Sequence, residues 1–231
     1  MNRIAGIDGC PAGWLRIERL ETGALQPAVL STAELFADID TFDVVTIDIP
    51  IGLADAGPRA VDSHARKLLG ARASSVFPSP VRAALSGATY AEACSLSFTA
   101  CGKRLSKQAF AIVPKIREVD DALRGNQEAA KRMREVQPEI CFYFLNEHKP
   151  MAHSKKTPEG GLERLNLLER HFGPVFAGLR AIVPTRQATS DDISDALAAL
   201  WSAERVRAGR NVLLPDHPAR DSFGLRMEMV A

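Results

Sequence analysis

A β-branched run, DVVTIDIP at residues 43–50, is bracketed by Phe42 and Pro50 and carries an aspartate where its apolar stretch ends. Val44, Val45, Thr46 and Ile47 favour extended backbone, because branching at Cβ restricts their rotamers in a helix. Such an unbroken run belongs to an interior strand of a parallel sheet covered on both faces, and it ends at Asp48. Residues 3–8, RIAGID, repeat the arrangement as a buried strand ending at Asp8. The fold class follows: an α/β protein with a mixed sheet flanked by helices.

The elements around these two strands follow from local chemistry. Gly9-Cys10-Pro11-Ala12-Gly13 is a turn, and WLRIERL at 14–20 alternates as a second strand. Glu21-Thr22-Gly23 turns into a third strand near 24–30, and Ser31 or Thr32 caps a short helix over 33–38. The order is strand, strand, strand, helix, strand. Farther on, EICFYFL at 139–145 reads as a strand, 146–158 as a polar loop, and 159–171 as an amphipathic helix. RAIVPT at 180–185 reads as a short strand, and 189–209 as a helix capped by Thr189 or Ser190 and ended by Gly209. The last 22 residues read as a lid or tail of low regularity.

Charge divides the chain. Residues 59–136 hold 14 Lys/Arg against 7 Asp/Glu, an excess of +7, while the remainder carries −6 and the whole chain +1. The segment is expected to be a largely helical insertion within a single domain spanning 1–231. Its helices are placed over VDSHARKLLGAR, over KIREVDDALRG after Pro114, and over 127–136. Its charge is either a solvated helical face or a surface for a polyanion. The near-neutral total excludes a histone-like protein and an acidic disordered tail. Cys10, Cys94, Cys101 and Cys141 form no CxxC pair, and the size of the chain needs no disulfides, so reduced cysteines in the cytoplasm are expected. No signal-peptide pattern and no apolar run of membrane-spanning length is present, which predicts no membrane association.

The chemistry resides in carboxylates. Asp8 and Asp48 each end a strand, where open α/β sheets bind ligands. Asp192 and Asp195 lie three apart near a helix start, with Asp191, four from Asp195, as the alternate partner. Converging carboxylates repel unless hard cations neutralise them, and an oxygen-only donor set suits Mg²⁺ or Mn²⁺. A pair of such ions supports phosphodiester hydrolysis. Plainer roles compete: an Asx-turn for Asp8, backbone amides for Asp48, and helix-start charges for Asp191 and Asp192. Gly6, Gly9 and Gly13 match neither a dinucleotide nor a P-loop spacing, and no GxSxG, HExxH or zinc-deaminase signature occurs.

The phrases GIDGCPAGW (6–14), VTIDIPIGL (45–53), DSHARKLLGARASSVFPSP (62–80), IREVD (116–120), QPEICFYFL (137–145), SKKTPEGGLERLNLL (154–168) and DDISDALAALWSAER (191–205) resemble the DUF429 family. That family is described as predicted nucleases of the ribonuclease H-like fold. The resemblance implies a ribonuclease H-like sheet in which Asp8, Asp48, Asp192 and Asp195 are catalytic metal ligands for Mg²⁺ or Mn²⁺. It adds Glu139 as a further ligand, general base or supporting group. It adds Lys155, Lys156, Lys115 and Arg117 as phosphate-facing groups. The implied activity is a metal-dependent nuclease acting on DNA or RNA and releasing a 3′-hydroxyl, with a homodimer left open. Two alternatives stand beside it: a nucleotide hydrolase or phosphotransferase of actin-like type, and a non-catalytic binding or scaffolding domain that retains the fold.

Overall fold

The computed structural model describes residues 3–231. Its principal elements run β1 (Ile4–Cys10), β2 (Gly13–Arg19), β3 (Leu25–Leu30), α1 (Thr32–Ala37), β4 (Val44–Ile47), α2 (Ala60–Leu69), α3 (Tyr90–Cys101) and α4 (Lys107–Gly125). They continue through α5 (Gln127–Arg132), β5 (Met133–Glu135), α6 (Pro138–Leu145), α7 (Pro158–Phe172), α8 (Phe176–Ile182) and α9 (Ser190–Arg207). The chain divides into two compact units. One comprises Met1–Ile49, Lys131–Val212 and Val230–Ala231; the other comprises Pro50–Ala130 and Leu213–Met229.

The first unit holds a five-stranded mixed sheet in the order β3-β2-β1-β4-β5. β1 pairs antiparallel with β2 and parallel with β4, β2 pairs antiparallel with β3, and β4 pairs parallel with β5. Helices α1, α8 and α9 pack on it, α9 lying along β1 and β4. This is the expected α/β class. The central strands are sealed: Ile4, Ala5, Ile7, Val45 and Ile47 have no exposed surface. Ser31 caps α1 in a reciprocal arrangement with Glu34, as its position predicts.

Two segments expected as strands are helices. EICFYFL forms α6, because Gln137 caps the helix by accepting the Ile140 amide and Pro138 supplies a fixed φ in the first turn. The neighbouring sheet position is taken instead by the three residues of β5, paired with β4. A short run that is apolar throughout does not distinguish a buried helix from a buried strand by its period. RAIVPT is likewise not a strand: residues 180–182 close α8, and Val183 is its cap. The helix expected over 127–136 stops at Arg132, where β5 begins.

The second unit is mainly helical. Its α4 starts well before the expected position, at Lys107, with Ser106 capping the Ala109 amide and Pro114 inside the helix. The apolar face of Ala109, Val113, Ile116, Val119 and Leu123 is buried, and that packing offsets the hydrogen bond Pro114 lacks. Residues 213–229, expected as a loose tail, belong to this unit. The Asp221 side chain is fully buried and accepts hydrogen bonds from the amides of Leu53 (3.0 Å), Phe223 (2.9 Å) and Leu225 (2.9 Å).

Several of the unit's arginines are engaged internally. Arg59 is buried and bonds Asp62 at 2.6 Å together with the carbonyls of Ile51 and Gly52. Arg82 joins Asp120 and Asp221, Arg66 reaches the carbonyls of Ala73 and Val76, and Arg124 lies over the Phe223 ring at 3.5 Å.

Candidate functional site

Gly6 and Thr46 set where α9 crosses the sheet. They are direct partners on β1 and β4, and Thr46 Oγ1 donates to the Ala199 carbonyl at 2.6 Å. A Cβ on Gly6 would lie 2.0 Å from the Leu200 nitrogen and 2.3 Å from the Ala196 oxygen, so the helix backbone approaches to a distance only glycine permits. Two residues along each strand, on the same face by strand periodicity, stand Asp8 and Asp48. The Asp48 amide donates to the Ile7 carbonyl at 3.0 Å, which keeps the two strand ends in register beyond β4 itself. Asp195 lies on the turn of α9 that precedes Ala199, which brings its side chain to the same end of the sheet.

Electrostatics records the convergence. Asp8 is 7% exposed, and burial holds its carboxyl well above the usual range, with Asp195, Asp48 and Asp192 pushing the same way. Burial also pushes half-buried Asp48 up to about 8, with Asp195 and Glu135 adding to it and Lys155 opposing. Asp195, 4% exposed, is raised by burial, against which the Lys155 ammonium acts through a 2.7 Å hydrogen bond to Oδ2. Burial works against the charge of Lys155, yet Asp195, Asp48 and Asp8 outweigh it and hold the ammonium above the ordinary lysine range.

The carboxylates differ in their partners. Asp192 occupies the third position of α9 in a reciprocal cap: its carboxylate accepts the Thr189 amide at 2.7 Å, and Thr189 Oγ1 accepts the Asp192 amide at 3.2 Å. Asp191 is exposed in the same turn. Neither Asp8 nor Asp48 has a hydrogen-bond or ion-pair partner for its side chain among the described residues. The Asx-turn at Asp8 and the amide cradle at Asp48 are therefore not formed.

Glu139 is engaged differently from a ligand. It is buried and accepts both ends of a bidentate bond from Arg164 Nη2, at 2.8 and 2.7 Å. Arg164 Nη1 donates to the carbonyls of His153 (3.2 Å) and Gly160 (2.9 Å), so the pair braces the turn that carries Lys155. Lys156 is exposed beside it. Lys115 and Arg117 belong to the second unit, where the Arg117 guanidinium donates to the carbonyls of Leu85 (2.7 Å) and Gly87 (3.1 Å).

Glu135 escaped the sequence reading. It is buried at the end of β5, is the strand partner of Ile47, and raises the Asp48 carboxyl. The only signal was a three-residue strand inside MREVQPE, too short for any period to show.

Among the described residues, no group of three or more His, Cys, Asp or Glu side chains is arranged to hold a metal ion. A pair of carboxylates is nevertheless a sufficient protein donor set for Mg²⁺, which keeps several waters and completes its shell with substrate phosphate. Asp8 and Asp48, buried or half-buried, close in space and lacking partners, fit such an ion. Cys141, on which Asp48 and Asp195 act, is buried, and burial pushes its thiol up to about 12, which leaves it inert. All four cysteines are free thiols.

A family model described as a protein of unknown function (DUF429) matches residues 6–220. The chain belongs to the DUF429 family. The match runs from within β1 to beyond α9 and takes in every candidate site residue. No curated protein and no solved structure matches the chain. No helix among the described residues is long and apolar enough to cross a membrane.

Proposed function

We propose that this DUF429 protein is a divalent-cation-dependent phosphodiesterase, a nuclease acting on DNA or RNA, with Asp8 and Asp48 as the residues that hold Mg²⁺ or Mn²⁺. One observation carries the reading: just past Ile7 and Ile47, the last paired residues of two adjacent parallel strands, stand two carboxylates without partners, in the row beyond the point where α9 is seated on Gly6 and Thr46. The strand order and the helix bearing Asp195 also agree with the ribonuclease H-like arrangement that the resemblance implies.

The bound cation would supply the charge that makes a phosphate oxygen electron-poor and a water acidic. The protein residues divide the remaining work. Asp8 and Asp48 give up their protons to bind. Asp195, opposite them on α9, takes the proton of the attacking water once Lys155 has released it. Attack forms a new bond from the water oxygen to phosphorus as the bond to the 3′-oxygen breaks, and that oxygen takes a proton from solvent, leaving a 3′-hydroxyl and a phosphomonoester. Asp192 holds the start of α9 in place through its cap, and Glu139 acts through Arg164 on the Lys155 turn. A cytoplasmic setting with reduced cysteines suits this reading, and a homodimer is compatible with it.

Cleavage of single- and double-stranded DNA and RNA in the presence of Mn²⁺ tests the reading. The wild-type chain is expected to cut at least one of them, and Asp8→Asn to lose that activity while keeping its circular dichroism spectrum. Wild-type rates in Asp8→Asn would remove Asp8 from the site.

A second reading, a hydrolase of small phosphorylated ligands, is favoured by one observation. Arg59, Arg66, Arg82 and Arg117, four of the basic residues that made 59–136 attractive for a polyanion, bond groups inside the second unit. Release of phosphate from free nucleotides, without cleavage of polymers, would select it.

A further inference from the structure

Lys155 sits on the polar loop between α6 and α7, with 45% of its side-chain surface exposed and its ammonium 2.7 Å from Asp195 Oδ2. Asp8 and Asp48 both act on that ammonium, and neither has a partner of its own. An ammonium among carboxylates does what a bound cation does: it lowers their mutual repulsion. Here the cation is tethered to the chain.

The tether is itself held in position. Arg164 is buried and joins Glu139 to the carbonyls on either side of the turn, those of His153 and Gly160. At Gly160 a Cβ would stand 1.9 Å from the Ser154 oxygen, so the start of α7 lies directly against the turn. Thr157 caps α7 by accepting the Gly160 amide, and its hydroxyl donates to the Ser154 carbonyl at 3.1 Å. Lys155 is thus presented to Asp195 by a braced turn, while the solvent-facing part of its side chain leaves it room to swing away.

We propose that Lys155 is a tethered counter-ion of the carboxylate site, opposing the entry of a divalent cation at Asp8 and Asp48 and letting go of Asp195 when that cation enters. This rests on the reading of Asp8 and Asp48 as cation ligands. Two positive charges cannot share so small a site without a large Coulomb cost, so each occupant weakens the other. The ammonium that withdraws remains beside the site on its braced turn, where a phosphate oxygen is the partner of matching charge.

Titration of the full chain with Mn²⁺, followed by calorimetry and by the loss of the free-ion electron paramagnetic resonance signal, tests this without any assay of activity. Lys155→Met is expected to bind Mn²⁺ roughly tenfold or more tightly than wild type. Lys149→Met removes the same charge from the same loop without touching Asp195, and its affinity is expected to stay at the wild-type value. Asp8→Asn is expected to abolish binding. If wild type binds Mn²⁺ in an Asp8-dependent way and Lys155→Met binds no more tightly, the counter-ion role is overturned and the cation site stands. If neither wild type nor Lys155→Met binds Mn²⁺, the cation site falls and the counter-ion role falls with it.

Discussion

Thr46 Oγ1 donates to the carbonyl of Ala199 across 2.6 Å of buried space, and the contact ties a central strand to the middle of α9. It uses a carbonyl that already belongs to a helix, so it fixes the height of α9 without breaking it. On the neighbouring strand Gly6 does the complementary thing by having no side chain at all. The two devices set the distance and the register of α9, and the carboxylates one row farther along inherit both.

Gly6→Ala therefore tests the geometry directly. A methyl group 2.0 Å from the Leu200 nitrogen meets the backbone of α9, so it cannot be relieved by a rotamer change. A loss of roughly 3 kcal/mol in denaturant unfolding is expected, at the upper end of ordinary overpacking. Gly178→Ala in α8, where a Cβ meets nothing within 4 Å, is expected to stabilise by about 0.5–1 kcal/mol. Equal effects at the two positions would contradict the close approach.

Asp48 gives the cation-free protein a distinctive pH dependence. Its carboxyl is raised to about 8 by burial first and by neighbouring carboxylates second, so between the ordinary carboxylate range and pH 8 the folded chain binds a proton that the unfolded chain has lost. Stability attributable to this group is present at low pH and falls as pH rises through that window, with a slope of at most about 1.4 kcal/mol per pH unit. Asp48→Asn removes the liability. Thermal unfolding in a chelator should show the variant gaining on wild type from pH 5 to pH 8, and a constant difference across that range would refute the assignment.

The Glu139–Arg164 pair is buried on both sides, so removing one partner strands a charge. Glu139→Gln is expected to cost about 3 kcal/mol or more. The double variant Glu139→Gln/Arg164→Met removes both charges and should recover part of that loss. Chemical denaturation of wild type, Glu139→Gln, Arg164→Met and the double variant yields the coupling energy. A coupling near zero would mean that the turn bearing Lys155 is braced by its backbone contacts alone.

The carboxylates at Asp8, Asp48 and Asp195 were legible because each interrupts an apolar pattern at a place where packing alone would favour another residue. A cap at Thr189 or Ser190 was legible where the helix begins, and Thr189 is the one that serves. What stayed hidden depended on partners distant in sequence. After Glu139 the run ICFYFL is apolar on every side, and only Gln137, Pro138 and the occupation of the sheet position by β5 make it a helix. Glu139 stood open between ligand, general base and supporting group, and the sequence holds no sign that Arg164, 25 residues away, engages both its oxygens. Lys155 reads as one lysine among several in a polar loop. Its contact with Asp195, 40 residues on, leaves no local trace.

The basic excess of residues 59–136 shows the same limit, and it leads to a prediction about binding. Arg82 is mostly buried and bridges Asp120 and Asp221, both with almost no side-chain exposure. Arg59 is paired with Asp62, and Arg117 with two carbonyls. Charges already paired with carboxylates, as at Arg82 and Arg59, release no counterions when a polyanion arrives, so they add nothing to the salt dependence of its binding. Arg82→Met is expected to destabilise the chain by about 3 kcal/mol or more, since Asp221 loses its charged partner, and to leave the salt slope of nucleic-acid affinity unchanged. Unfolding measurements and fluorescence anisotropy across a salt series separate the two effects. A salt slope that shallows by about one unit in a chain of unaltered stability would show instead that Arg82 faces phosphate.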